Sequence, residues 1–92
     1  MLVEDQKDPF LHHALGMEYQ AKQMDEQAIG CFRDALKFDE SYIAAYYQLG
    51  LLLQKLGNID EAREVLEQGL KRIVNNKKTE MEFRQALLNL DY

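Results

Sequence analysis

The chain repeats itself at a fixed interval of 34 residues. Identical residues recur at this offset in the pairs Gly16 and Gly50, Ala28 and Ala62, Leu15 and Leu49, Gln20 and Gln54, Leu36 and Leu70, and Lys37 and Lys71. A single repeated period is typical of a supersecondary unit that packs on its own copy, because neither unit buries its apolar face alone. The sequence therefore predicts a stack of two similar units.

Apolar periodicity predicts that the chain folds into five helices. They are expected over residues 9–22, 25–38, 42–56, 59–74 and 80–90. The first helix should begin after Asp8 with Pro9, which loses no hydrogen bond at the first helical position. Gly57 and Asn58 tolerate the left-handed backbone that ends a helix, so they predict the end of the third. Residues 1–8 are predicted to be a short acidic lead-in.

The last helix is predicted to cap the repeats rather than to start a third one. Thr79 and Glu82 have the spacing of a capping box, so Thr79 is the expected N-cap. Arg84 lies 34 residues after Gly50, where a third unit needs a small residue. Apolar residues at helical spacing, Phe83 among them, are expected to cover the end of the second unit.

Small residues at matched positions predict where the two helices of a unit approach each other. Glycine in a helix interior costs about 1 kcal/mol relative to alanine, so Gly16 and Gly50 indicate a packing requirement. Larger side chains, including Tyr19, Phe32 and Leu66, are expected to be buried around these contacts.

These residues resemble the tetratricopeptide repeat, whose unit is a helix–turn–helix of about 34 residues. The first unit carries Leu15-Gly16-x-x-Tyr19 and Ala28-x-x-x-Phe32-x-x-Ala35, and the second carries Tyr46-x-x-Leu49-Gly50-x-x-Leu53 and Ala62-x-x-x-Leu66-x-x-Gly69. The departures from the family pattern, which loosen the expected packing, are His12, Glu40, Val74 and Gly69.

The resemblance implies an all-α fold in which right-handed helix–turn–helix repeats form a fragment of an α-solenoid. It covers residues 9–76, and the whole chain is similar to small two-repeat bacterial proteins with a closing C-terminal helix. The expected organisation is one domain over residues 1–92, with repeat units at 9–42 and 43–76 and a capping helix at 79–91.

Composition and charge argue against several classes of protein. The net charge of −5 disfavours nucleic-acid binding, which needs a basic surface to neutralise phosphates. Cys31 is the only cysteine, which prevents an internal disulfide and suits a reducing compartment. The longest apolar run, residues 49–53, is far shorter than the ~20 residues that span a bilayer. With no secretory signal visible at the start, we expect a soluble cytoplasmic protein without a membrane segment.

Adjacent His12 and His13 raise the question of a metal site. Neighbouring residues on a helix point about 100° apart, so the two rings cannot bind one ion from the same turn. Carboxylates such as Glu64 and Glu67 fall on outer helical faces, and the sequence has no phosphate-binding loop or nucleophile motif. We therefore expect no catalytic activity, no cofactor and no metal.

The resemblance implies that the first helix of each unit lines a short concave groove that binds a peptide or a helix of a partner protein. The expected groove residues are Phe10, His13, Met17, Gln20, Tyr42, Tyr47, Leu51, Gln54 and Lys78. Aromatic and methionine side chains supply an apolar surface that adapts to such a segment. Two repeats make a short groove, so the expected affinity is about micromolar.

An alternative use of the same groove is structural, as the contact of a weak homodimer or of a subunit in a larger assembly.

Binding of a chaperone's C-terminal carboxylate is disfavoured. Chaperone-binding members of the family hold a C-terminal carboxylate with polar and basic residues, and the matching positions here are His13, Met17, Gln48, Lys78 and Glu82. Only Lys78 fits that role, and Glu82 would repel the anion.

Overall fold

The computed structural model describes residues 7–91, and this part of the chain contains five helices and no strand. The helices are α1 (Pro9–Ala21), α2 (Asp25–Phe38), α3 (Ile43–Lys55), α4 (Ile59–Lys71) and α5 (Lys77–Asn89). Most of the predicted lead-in, residues 1–6, lies outside the described residues. The described residues divide between Ala45 and Tyr46 into two compact units.

In the first unit, α1 packs against α2 through a glycine. A Cβ atom placed on Gly16 would lie 2.6 Å from Cε1 of Phe32, so only glycine allows this approach. Phe32 has no exposed surface, and neither have Ala28 and Ala35 on the same helix. The predicted start of α1 is confirmed, because the side chain of Asp8 accepts a hydrogen bond from the Phe10 backbone N–H at 2.9 Å.

Tyr19 was expected in this core, and that prediction is wrong. The residue is only half-buried. Together with Leu15, Glu18 and Lys22 it lines an open surface cavity of about 200 Å³. Part of its surface therefore remains open to solvent.

The two repeats end their first helices with the same turn. Gly57 has a φ of 87°, as predicted for the residue that ends α3, and Gln23 at the matched position in the first unit has a φ of 61°. The following backbone N–H closes the turn in both cases: that of Met24 donates to the Tyr19 carbonyl at 2.9 Å, and that of Asn58 donates to the Leu53 carbonyl at 2.9 Å. The turn forms at Gln23 even though a non-glycine residue is strained there.

In the second unit, two glycines allow close approaches. A Cβ atom on Gly50 would lie 2.5 Å from Cγ of Leu66, and one on Gly69 would lie 2.6 Å both from Cβ of Tyr46 and from Cε2 of Phe83. Gly69 was expected to loosen the packing because it replaces alanine. That interpretation is wrong, because two large side chains occupy the space that an alanine methyl group would need.

The capping helix begins earlier than predicted. Asn76 is the N-cap of α5, and its side chain accepts a hydrogen bond from the Thr79 backbone N–H at 3.1 Å. Thr79 is therefore inside the helix, and the predicted capping box with Glu82 is wrong. The asparagine already satisfies the backbone donor that ends the first turn. The preceding helix α4 ends at Lys71, three residues before the predicted end.

Helix α5 packs against α4 through Phe83. This side chain is fully buried, and its ring centroid lies 5.3 Å from that of Tyr47. Arg84, which stands one period after Gly50, is exposed and pairs with Glu80 at 2.8 Å. Helix α5 therefore has arginine, not glycine, at the position that Gly16 and Gly50 occupy in the two repeats.

We expect Gly50→Ala to lower the free energy of unfolding. The added methyl group overlaps Leu66, and overpacking a core costs about 1–3 kcal/mol. This loss exceeds the ~1 kcal/mol that alanine gains as a helix former, and Gly50→Val should be more destabilising still. Urea denaturation of the variants and the parent chain measures the difference.

Gly30→Ala is the matched control, because Gly30 is also helical but a Cβ atom there would have no neighbour within 4 Å. This variant should gain roughly 0.5–1 kcal/mol of stability from helix propensity. Equal effects of Gly30→Ala and Gly50→Ala would contradict the close approach of Gly50 to Leu66.

We also expect Phe83→Ala to cost about 3–5 kcal/mol, since it removes a fully buried ring and leaves a cavity. Met81 on the same helix is 67% exposed, so Met81→Ala should change stability by less than ~0.5 kcal/mol. Thermal unfolding of the two variants compares them directly. A Phe83 variant as stable as the Met81 variant would contradict the packing role of α5.

Candidate functional site

The candidate residues on α1 form one stripe along the helix. Phe10, His13, Met17 and Gln20 are spaced three, four and three residues apart, which places them on one face. Gly16 fixes the rotation of α1 because it faces Phe32, and Met17 therefore points about 100° away from that contact. Phe10 is 63% exposed and Met17 is 42% exposed. The first unit thus presents two large apolar side chains to solvent from a single face.

The candidate residues of the second unit are more covered. Tyr47, Leu51 and Gln54 lie one period after His13, Met17 and Gln20, and all three are half-buried. The Tyr47 ring packs on Phe83, so it supports α5 as well as facing outward. Lys78 is exposed in the first turn of α5.

His13 belongs both to the stripe and to the packing of the first unit. Its ring centroid lies 5.4 Å from that of Phe32 and 5.3 Å from that of Tyr42. Its Nδ1 atom is buried and has no hydrogen-bond partner among residues 7–91. Burial among these rings lowers the pKa of His13, because the charged imidazolium would lose its hydration.

Two carboxylates that the sequence analysis did not assign to the site act on Tyr42. Burial raises the pKa of Tyr42, and the charges of Asp8 and Asp39 raise it further. Both residues lie at helix ends: Asp8 caps α1, and Asp39 follows α2. Asp39 is only three residues from Tyr42 in the sequence, whereas the effect of Asp8 on Tyr42 depends on the tertiary fold.

Two other reactive side chains in the described part of the chain, His12 and Cys31, lie apart from the stripe. His12 packs between α1 and α2, where its ring stacks on Phe38 at 5.3 Å. Burial, followed by the charge of Asp34, raises the pKa of the Cys31 thiol, which disfavours the nucleophilic thiolate. Within residues 7–91 no three His, Cys, Asp or Glu side chains come together as a metal site requires.

None of the five helices in the described part of the chain is both long enough and apolar enough to cross a bilayer.

We expect the free energy of unfolding to fall as the pH is lowered from about 7.5 to 5.5. The folded-state pKa of His13 lies below its ordinary value of 6.5, so the unfolded chain takes up the proton first. The stabilising contribution is complete above the unfolded-state pKa and is lost as the pH falls through the folded-state pKa. Thermal unfolding across this range measures the slope.

Two variants test whether His13 causes this dependence of the unfolding free energy on pH. His13→Phe keeps an aromatic ring between Phe32 and Tyr42 but cannot bind a proton, so the slope should become shallower. His12→Gln should retain the slope, because His13 is unchanged. An equal slope in the parent chain and in His13→Phe would contradict the assignment.

Two family models match the chain. A family model described as TPR repeat matches residues 16–57, and one described as tetratricopeptide repeat matches residues 43–73. Among curated proteins no match was found.

The similar solved structures include two of tetratricopeptide repeat domain proteins from Salinibacter ruber. A solution structure has a TM-score of 0.86 and 29% identity, and the match covers 96% of this chain and 91% of that chain. A crystal structure has a TM-score of 0.84 and 29% identity, and the match covers 91% of this chain and 97% of that chain. These matches show an all-α helical-repeat solenoid fold.

The period, the glycine contacts and the comparisons all lead to the same assignment. The two family models together extend from residue 16 to residue 73, a span that contains both Gly16 and Gly50. The chain belongs to the tetratricopeptide repeat family.

Proposed function

We propose that this chain binds a peptide or a helix of a partner protein in a short concave groove. The bound segment lies along the first helix of its repeats. Tetratricopeptide repeats generally mediate protein–protein interaction, and proteins built from them are generally non-enzymatic scaffolds. The observation that carries the proposal is the stripe on α1, where Phe10 and Met17 are 63% and 42% exposed on one face.

Packing explains why these side chains are available to a partner. Gly16 directs one face of α1 toward Phe32. Of the stripe, His13 also contacts the Phe32 ring, whereas Phe10 and Met17 stay exposed. Solvent contact with large apolar side chains costs free energy that a partner recovers when it covers them. Met17 is unbranched and flexible, so it adapts to side chains of different shapes.

The matched residues of the second unit support a smaller contribution. Tyr47 already packs on Phe83. The other two candidate residues on α3, Leu51 and Gln54, are half-buried. Leu51 provides apolar surface, and Gln54 provides a hydrogen-bonding amide. This distribution favours the first unit as the principal contact.

The proposal is tested by selecting binding peptides from a displayed library and observing the methionine methyl groups by NMR. Met17, Met24 and Met81 are all exposed, at 42%, 39% and 67%, and they lie on α1, before α2 and on α5. We expect a selected peptide to shift the Met17 methyl signal and to leave those of Met24 and Met81 unchanged. Met17→Gln should weaken binding, whereas Met81→Gln should not.

Other outcomes separate this proposal from its alternatives. A peptide that shifts Met81 or Met24 but not Met17 would place recognition on another helix and contradict the proposal. A Met17 signal that moves with protein concentration in the absence of peptide would instead identify this face as the contact of a homodimer. Sedimentation over the same concentrations distinguishes these cases.

A further inference from the structure

We propose that the first unit recognises a basic segment, in which a lysine or arginine of the partner lies against the Tyr42 ring beside Asp8 and Asp39. This inference rests on the proposed function, since it specifies the chemistry of the segment that binds along α1. The recognised group is a protein side chain, and its positive charge is what distinguishes the partner.

Backbone hydrogen bonds hold the two carboxylates in place at the helix ends. Asp8 accepts from the Phe10 N–H at 2.9 Å, and Asp39 accepts from the Ser41 N–H at 2.9 Å. The backbone N–H of Tyr42 donates to the Asp39 carbonyl at 3.1 Å, which ties the tyrosine to the end of α2. His13 of α1 lies against the same tyrosine ring.

The charge near Tyr42 is negative. Burial raises the pKa of Tyr42, and the negative charges of Asp8 and Asp39 raise it further. Within residues 7–91 the structure gives neither carboxylate an ion pair. Lys7 and Lys37 of this unit line an open cavity together with Leu11, His12, Leu15, Asp34 and Phe38.

The aromatic surface beside these carboxylates suits a long cationic side chain. Phe10 is 63% exposed and Tyr42 is half-buried. The Tyr42 ring can cover the aliphatic stem of a lysine or arginine, while the charged head interacts with the ring face and with the carboxylates. The exposed Phe10 offers apolar surface to the rest of the segment. The net charge of −5 also attracts basic segments at long range.

The experiment uses synthetic helical peptides of about 15 residues that share one apolar stripe and one tryptophan. The chain itself has no tryptophan, so the fluorescence reports only the peptide. Three versions carry arginine, glutamine or glutamate at the same two positions beside the stripe. We expect the arginine peptide to bind most tightly, and its advantage to shrink between about 50 mM and 500 mM salt because of screening.

Asp8→Asn with Asp39→Asn removes both charges while keeping their backbone hydrogen bonds, since asparagine caps a helix as well as aspartate. We expect this variant to bind the arginine peptide roughly threefold to tenfold more weakly, with little change for the glutamine peptide. Asp34→Asn with Glu64→Gln is the control, because it removes the same charge from exposed positions elsewhere. Circular dichroism confirms that both variants are folded.

The outcomes distinguish a failure of this inference from a failure of the proposed function. Equal affinities for the arginine and glutamine peptides, or equal effects of the two double variants, would overturn the basic preference while leaving peptide binding intact. No binding by any of the three peptides, nor by peptides from the displayed library, would overturn both. The comparison of peptides on the parent chain decides the question even if a variant fails to fold.

Discussion

The close approach of a large side chain to a glycine is the contact on which the rest of each unit depends. Phe32 lies against Gly16 in the first unit, and Leu66 lies against Gly50 in the second. Because any Cβ atom at these glycines would collide with its neighbour, the contact fixes both the separation of the two helices and their rotation. The rotation of α1 then determines that Met17 faces solvent, so the packing of the core selects the surface available to a partner.

Several residues of the first unit serve packing and the candidate site together. His13 lies between the buried Phe32 ring and the half-buried Tyr42 ring, and its low pKa is a consequence of that position. Asp8 ends the helix with a hydrogen bond and also brings negative charge to Tyr42. Substitutions at such positions change both stability and binding. Variants that remove a charge but keep the hydrogen bond are therefore more informative than alanine variants.

Local signals were sufficient to predict much of the fold. The bounds of α2, the Asp8 cap and the Gly57 turn follow from capping chemistry, periodicity and backbone preference, all of which act within a few residues. The start of α5 was mispredicted because Asn76 and Thr79 can each cap a helix and local sequence does not rank them. The contact of Gly69 with Tyr46 and Phe83 and the effect of Asp8 on Tyr42 join residues far apart in the chain, so short-range patterns could not show them.

The two repeats share a pattern but do not offer equal surfaces for recognition. Tyr47 corresponds to His13, yet its ring is held by Phe83 of the additional helix, and a partner that displaced it would disturb a fully buried side chain. Phe10 corresponds to Ala44, and at 63% exposure most of its surface faces solvent in the described structure. A partner therefore gains more apolar burial at the first unit and disturbs less packing there. The capping helix stabilises the second repeat at the expense of its surface, whereas Phe10 and Met17 of α1 keep much of their apolar surface exposed.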